Sequence, residues 1–174
     1  MKLCFPAQAP ENYKFAENRT LTSSPKISEF HLSSLSKLGY RMFIAEFGGK
    51  WSPSALILEF NGIYGNGSSG NGDADFINMV RAGLTTILDV EAVVYDFRNM
   101  EYEWGNRIWN VLACPREDGD DVLTVAMVIS DKCRQGFSTC VGMVPPMFDT
   151  IVEALAFVEP HARGYLDKLM ADAE

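Results

Sequence analysis

Gly65-Asn66-Gly67-Ser68-Ser69-Gly70 spells the letters of a dinucleotide-binding fingerprint and stands between an apolar strand pattern and a helical one. That chemistry needs a tight turn straight off the strand, so that the helix N-terminus meets a pyrophosphate. Asn61-Gly62-Ile63-Tyr64 precede the first glycine and Asn71-Gly72 follow the last, which makes the connection too long for that geometry. The expectation is a flexible polar loop, able to act as a mobile arm that orders on a partner. Ser130-Asp131-Lys132-Cys133 offers a thiol at a helix start beside a lysine, the setting that lowers a cysteine pKa. No histidine is near it in sequence, and His31 and His161 would have to arrive from distant segments. Glu101 and Glu103 alternate with Met100 and Tyr102. Paired carboxylates work as acid and base only when their environments separate their pKa values, and alternation more often marks a solvated face.

The cysteines, Cys4, Cys114, Cys133 and Cys140, form no Cys-x-x-Cys pair, so neither a metal nor another cofactor is expected. Cys133 shares a helical phase with Phe137, Cys140 and Val141 and reads as a small core residue. The balance of 15 Lys plus Arg against 23 Asp plus Glu gives a net charge of −8, spread along the chain. It opposes nonspecific nucleic-acid binding and favours a basic partner. No stretch approaches the roughly 18 to 20 apolar residues of a membrane span, and Pro6, Gln8 and Pro10 break any apolar signal core. A cytoplasmic chain with reduced thiols and no membrane or nucleic-acid partner is therefore expected.

The elements that must carry these residues follow from periodicity. With 174 residues, 47% of them apolar, one domain can bury its own core. Residues 1–36 lack a firm period and read as an N-terminal extension, with a short strand near Ile27 to Leu32; residues 37–174 read as the domain. Tyr40–Phe47 and Ala55–Phe60 predict antiparallel strands joined at Gly48-Gly49, since glycine accepts the positive φ of a hairpin turn. A helix from about Asp73, capped by Asp73 or Asp75, buries Phe76, Val80, Leu84, Ile87 and Leu88. Ala92–Phe97 and Val122–Ile129 predict buried strands, adjacent and parallel, joined by a helix near Gly105 to Ala113. Ser130-Asp131 caps the next helix. Pro145–Phe148 is an edge segment, and Asp149 caps a helix over Thr150 to Val158 that Pro160 and Gly164 interrupt. The fold class is α/β, a mixed sheet with helices packed on it.

In such sheets ligands and partners dock at the carboxyl ends of the strands. The segment that Ala92–Phe97 delivers there carries Arg98, Asn99, Glu101, Tyr102, Glu103, Trp104, Asn106 and Arg107. Trp, Tyr and Arg predominate at protein-binding hot spots, so this segment is the expected partner-binding site, with no catalytic residue assigned.

Ala92-Val93-Val94-Tyr95-Asp96-Phe97-Arg98-Asn99-Met100-Glu101-Tyr102 resembles the second conserved strand and following turn of the STAS domains, shared by sulphate transporters and anti-sigma-factor antagonists. Leu123 to Ser130, the helix through Val141-Gly142, and Phe148 to Leu155 resemble that family's C-terminal half in the same order, and the likeness spans residues 40–158. It implies a STAS-like fold and a noncatalytic domain that regulates or inhibits a protein partner. The family's phosphorylatable Ser or Thr falls at Trp104-Gly105, which offers no hydroxyl, and the glycine-rich loop is longer than the family's. Two roles fit this reading: a diverged regulator with an anti-sigma-like partner, or an immunity protein whose acidic surface neutralises a basic toxin domain, which accounts for the missing hydroxyl and the net charge of −8. The alternative is a small crotonase-like or hydrolase-like enzyme, for which neither an oxyanion loop nor a nucleophile is evident.

Overall fold

The computed structural model describes residues 29, 31–49, 51–112, 123–139 and 144–171, and His31–Glu174 is one compact unit. The strands are β1 (Gly39–Glu46), β2 (Ser54–Ile63), β3 (Ala92–Glu101), β4 (Thr124–Val128) and β5 (Met147–Phe148). They lie in the order β1-β2-β3-β4-β5, with β1 antiparallel to β2 and the others parallel. The helices among the described residues are α1 (Asn71–Leu88), α2 (Ile108–Leu112), α3 (Asp131–Ser138) and α4 (Ile151–Ala171). The chain is therefore α/β, and β3 and β4 pair side by side in parallel, joined through α2, as their spacing predicts.

The parallel strands advance in one direction, so crossovers of one hand place α1, α2 and α3 on one face. Leu56, Leu58 and Phe60 of β2 and Val93, Tyr95 and Phe97 of β3 meet Ile77, Ile108, Val111 and Phe137 there. The alternate residues Ala55, Ile57, Ala92, Val94, Ala126 and Val128 meet Ala154 and Val158 of α4 on the opposite face. Burial on both faces explains why these strands read as nearly continuous apolar runs.

The hairpin turn has Gly48 at φ 64° and Gly49 at φ 96°, as its glycines predict. Ser130 caps α3 by accepting from the Lys132 N–H, and Cys133 and Phe137 are buried together; Cys140 and Val141 lie outside the described residues. Other expectations are corrected. Neither Asp73 nor Asp75 caps α1, whose N-cap is Gly70. Asp73 instead accepts from Ser36 Oγ at 2.5 Å and from the Gly65 N–H at 2.8 Å, tying the chain before β1 to the loop after β2. Leu32–Ser34 forms a 3-10 turn and Leu35 packs on the core, while most of the strand expected near Ile27 to Leu32 lies outside the described residues. Ile87 and Leu88 have the phase of the buried α1 face but are 77% and 37% exposed, because the last turn of α1 runs beyond the apolar layer.

α4 is capped by Thr150, whose Oγ1 accepts from the Glu153 N–H at 3.2 Å while Glu153 Oε2 accepts from the Thr150 N–H at 3.1 Å. This reciprocal box replaces the expected Asp149 cap, and Asp149 pairs with Arg134. The helix also continues through Pro160 and Gly164 to Ala171. Both residues are exposed, so the hydrogen bond that proline removes faces water, while Ala154, Val158 and Ala162 stay buried at four-residue spacing. Arg163 fixes the far end of α4 by donating to the Phe47 and Gly48 carbonyls at 2.6 and 2.9 Å.

Candidate functional site

The connections leaving β2, β3 and β4 converge at the carboxyl edge of the sheet, and close backbone approach holds them together. The Tyr64 N–H donates to the Glu101 carbonyl at 2.9 Å, the Gly67 N–H to the Trp104 carbonyl at 3.3 Å, and the Tyr102 N–H to the Lys132 carbonyl at 3.2 Å. Gly67 and Gly105 form an isolated parallel bridge. Asn66 Nδ2 donates to Glu103 Oε2 at 3.0 Å, and Arg107 meets Asp75 of α1 at 3.2 Å.

The glycines of the β2–α1 loop serve this contact, which corrects the expectation of a mobile arm. A β-carbon on Gly70 would stand 2.3 Å from Cε1 of Tyr64, and one on Gly105 would stand 2.6 Å from the same atom. Gly67, at φ 60°, lets the Trp104 indole lie against the loop. Glycine here gives close approach, and Ser68–Gly70 forms a 3-10 turn leading directly into α1.

Beneath this surface runs an aromatic stack. Tyr102 lies on Phe137 at 4.5 Å between ring centroids and meets Tyr64 edge-on at 5.1 Å. Tyr102 is 2% exposed, so it supports the surface and is corrected from a contact residue to a scaffold residue. Burial, and then the neighbouring Tyr102, Asp73 and Asp75, push the Tyr64 phenol well above its ordinary range. Its Oη has no hydrogen-bond partner among the described residues.

The other site residues of the sequence reading divide into two groups. Glu101, Glu103, Trp104, Asn106 and Arg107 are exposed together at the edge, with Trp104 at 55%. Next to them lies an open groove of about 390 Å³ lined by Tyr102, Glu103, Asp131, Lys132, Gln135 and Gly136. Arg98 does not join them. Its guanidinium makes a bidentate contact with the fully buried Asp96, at 2.9 and 2.7 Å, which raises the Arg98 pKa against the lowering effect of burial. Asn99 turns to Glu59 at 3.3 Å.

That second group is one sequence reasoning missed. Glu59 and Asp96 pair in register on β2 and β3, Arg41 of β1 neutralises Glu59 at 2.6 Å, and Arg98 neutralises Asp96. The signal was in plain view: Leu56-Ile57-Leu58-Glu59-Phe60 and Val93-Val94-Tyr95-Asp96-Phe97 each set one acid at the same place in an apolar run. Buried acids need partners, and here they order the strand ends that carry the edge. On α3, Asp131 and Lys132 read from sequence as a cap and as the neighbour of a thiol, and with Gln135 they instead line the groove beside Glu103.

Chemically the edge offers an exposed indole, carboxylates and cations. Cys133 supplies no thiolate: it is buried, its Sγ donates to the Phe97 carbonyl at 3.4 Å, and burial pushes its pKa up. His161 lies on α4, across the sheet from it. Among the described residues no group of three His, Cys, Asp or Glu side chains is placed to hold a metal ion. Nor, among them, is any helix long and apolar enough to cross a membrane. No protein-family model matches the chain, and no curated protein matches it in sequence.

Proposed function

We propose that this chain is a noncatalytic, STAS-like protein-binding domain that regulates or inhibits a basic protein partner through the carboxyl edge of its sheet, within the cytoplasm. The observation that carries this reading is Trp104. A large aromatic side chain stands 55% exposed on a platform whose backbone is already hydrogen-bonded. Such an anchor loses little conformational entropy on binding, which is what central hot-spot residues provide. Glu101, Glu103 and Asp131 are exposed carboxylates on the same edge, beside the exposed Arg107 and Lys132, and the net charge of −8 steers a basic surface toward it.

Between the two roles, the charge favours neutralisation of a basic toxin domain over partnership with an anti-sigma-like regulator. The position where that family is phosphorylated carries Trp104-Gly105, which removes the switch a regulator would use. The test is capture from an extract of the source cell by the immobilised 174-residue chain, with mass-spectrometric identification. A basic protein retained by the wild type and lost from both Trp104→Ala and Glu103→Arg supports the reading. The same protein retained equally by all three chains overturns it.

A further inference from the structure

β1 is an outer strand, and among the described residues it pairs with β2 alone. The hydrogen bond from the Phe47 N–H to the Pro53 carbonyl continues their ladder. In an antiparallel pair the bonded positions recur every second residue. Gly39, Arg41, Phe43 and Ala45 therefore bond to β2, and Tyr40, Met42, Ile44 and Glu46 direct their backbone groups outward. Edges of this kind are ordinarily blunted by lysine, proline or a bulge. β1 reads Gly-Tyr-Arg-Met-Phe-Ile-Ala-Glu in unbroken register. It also exposes apolar side chains on both faces, and its mid-strand charge, Arg41, is engaged by Glu59 of β2. Tyr40, Met42 and Ile44, on the side of α1, are 47%, 55% and 45% exposed, and Phe43, on the side of α4, is 47% exposed.

We propose that the outer edge of β1 pairs antiparallel with β1 of a second copy of this chain, joining two sheets into one. Self-pairing about a twofold axis must keep each side chain on its own face, so the axis passes through a residue, and Phe43 is the best choice. Met42 then bonds with Ile44 of the second copy and Tyr40 with Glu46, so every outward backbone group from Tyr40 to Glu46 has a partner. The two Phe43 rings meet at the axis, where unbonded pairs bring side chains closest. Arg41, whose guanidinium lies 5.7 Å from its own Phe43 ring, falls opposite Ala45 and diagonal to the second Phe43. No like charges are opposed along the seam, although each chain carries −8. Moving the axis to Met42 or Ile44 separates the Phe43 rings and leaves Glu46 or Tyr40 without a strand partner. A foreign strand would match the backbone but not these side-chain pairs. One strand per copy is a small interface, so the association is weak and reversible.

The test is sedimentation velocity of the full chain from low to several hundred micromolar. Monomer at low concentration should convert to dimer, and Ile44→Lys, which blunts the edge without touching the β2 ladder, should weaken dimerisation at least tenfold while its thermal melt stays cooperative. Phe43→Cys, with Cys4, Cys114 and Cys140 replaced by serine, should oxidise to a covalent dimer, because facing unbonded residues stand about 4.5 Å apart. Ala45→Cys in the same background should not, since its counterparts would be about 14 Å apart. A chain that stays monomeric throughout, a dimer that survives Ile44→Lys, or preferential crosslinking through Ala45→Cys would overturn the proposal. A heterologous strand as the true occupant of this edge would give the first of these results.

Discussion

Gly67 lies directly under Trp104: a β-carbon at position 67 would stand 2.5 Å from Cη2 of the indole, and the backbone there has φ 60°. Gly67→Ala must therefore displace the tryptophan and strain the turn together. A loss of about 1 to 2 kcal/mol is expected in urea unfolding, with a change in Trp fluorescence at the native baseline. Trp104→Ala should leave stability within about 1 kcal/mol, because more than half of that side chain is already in water.

Arg98→Ala should be costly for a different reason. It leaves Asp96, fully buried, without the guanidinium that contacts both its carboxylate oxygens. Stability should fall by about 2 to 3 kcal/mol, and Asp96→Asn added to Arg98→Ala should recover part of that loss, because a neutral amide is cheaper to bury than an unpaired charge. A double mutant less stable than Arg98→Ala alone would show that the pair does not act as one unit.

Most of the sheet was legible in the chain, and the reasons are local. Parallel strands covered on both faces leave continuous apolar runs, Gly48-Gly49 marks the hairpin, and Ser130 marks a cap. What escaped depends on tertiary placement. Asp73 reads as a cap because capping is local, yet Ser36 and Gly65 claim its carboxylate from other segments. Pro160 reads as a helix stop because sequence does not reveal that its missing bond faces solvent. The glycine loop reads as a mobile arm because the Tyr64 and Trp104 rings that fill its missing side chains approach only in the fold. At the site itself, the segment Glu101 to Arg107 was legible from strand direction, but the burial of Tyr102 was not, because it depends on Phe137 arriving from α3.

Pro160 can be examined by itself. Pro160→Ala restores a backbone donor inside α4 at an exposed position, and thermal and urea unfolding should both show a gain of about 1 to 3 kcal/mol. A loss would mean that the proline ring is required where α4 passes that point.

Alkaline pH should destabilise the fold through two buried acids. The Tyr64 phenol and the Cys133 thiol both have folded pKa values raised by burial. In the unfolded chain they ionise near their ordinary values, about 10 and 8.5. Above those values the unfolded state binds fewer protons than the folded one, so stability falls as pH rises and is unaffected by these groups below about pH 8. Tyr64→Phe should flatten the upper part of this decline. It should also raise stability near neutrality by about 1 kcal/mol, since its Oη is buried without a partner among the described residues.

The most direct measurement is calorimetric titration of the captured partner into the wild type and into Trp104→Ala, with a thermal melt of each chain alongside. If the carboxyl edge is the binding surface, Trp104→Ala weakens the complex by about 2 kcal/mol or more, roughly thirtyfold, while the melting temperature barely moves. Unchanged affinity, with or without a fall in melting temperature, would contradict a binding role for this edge.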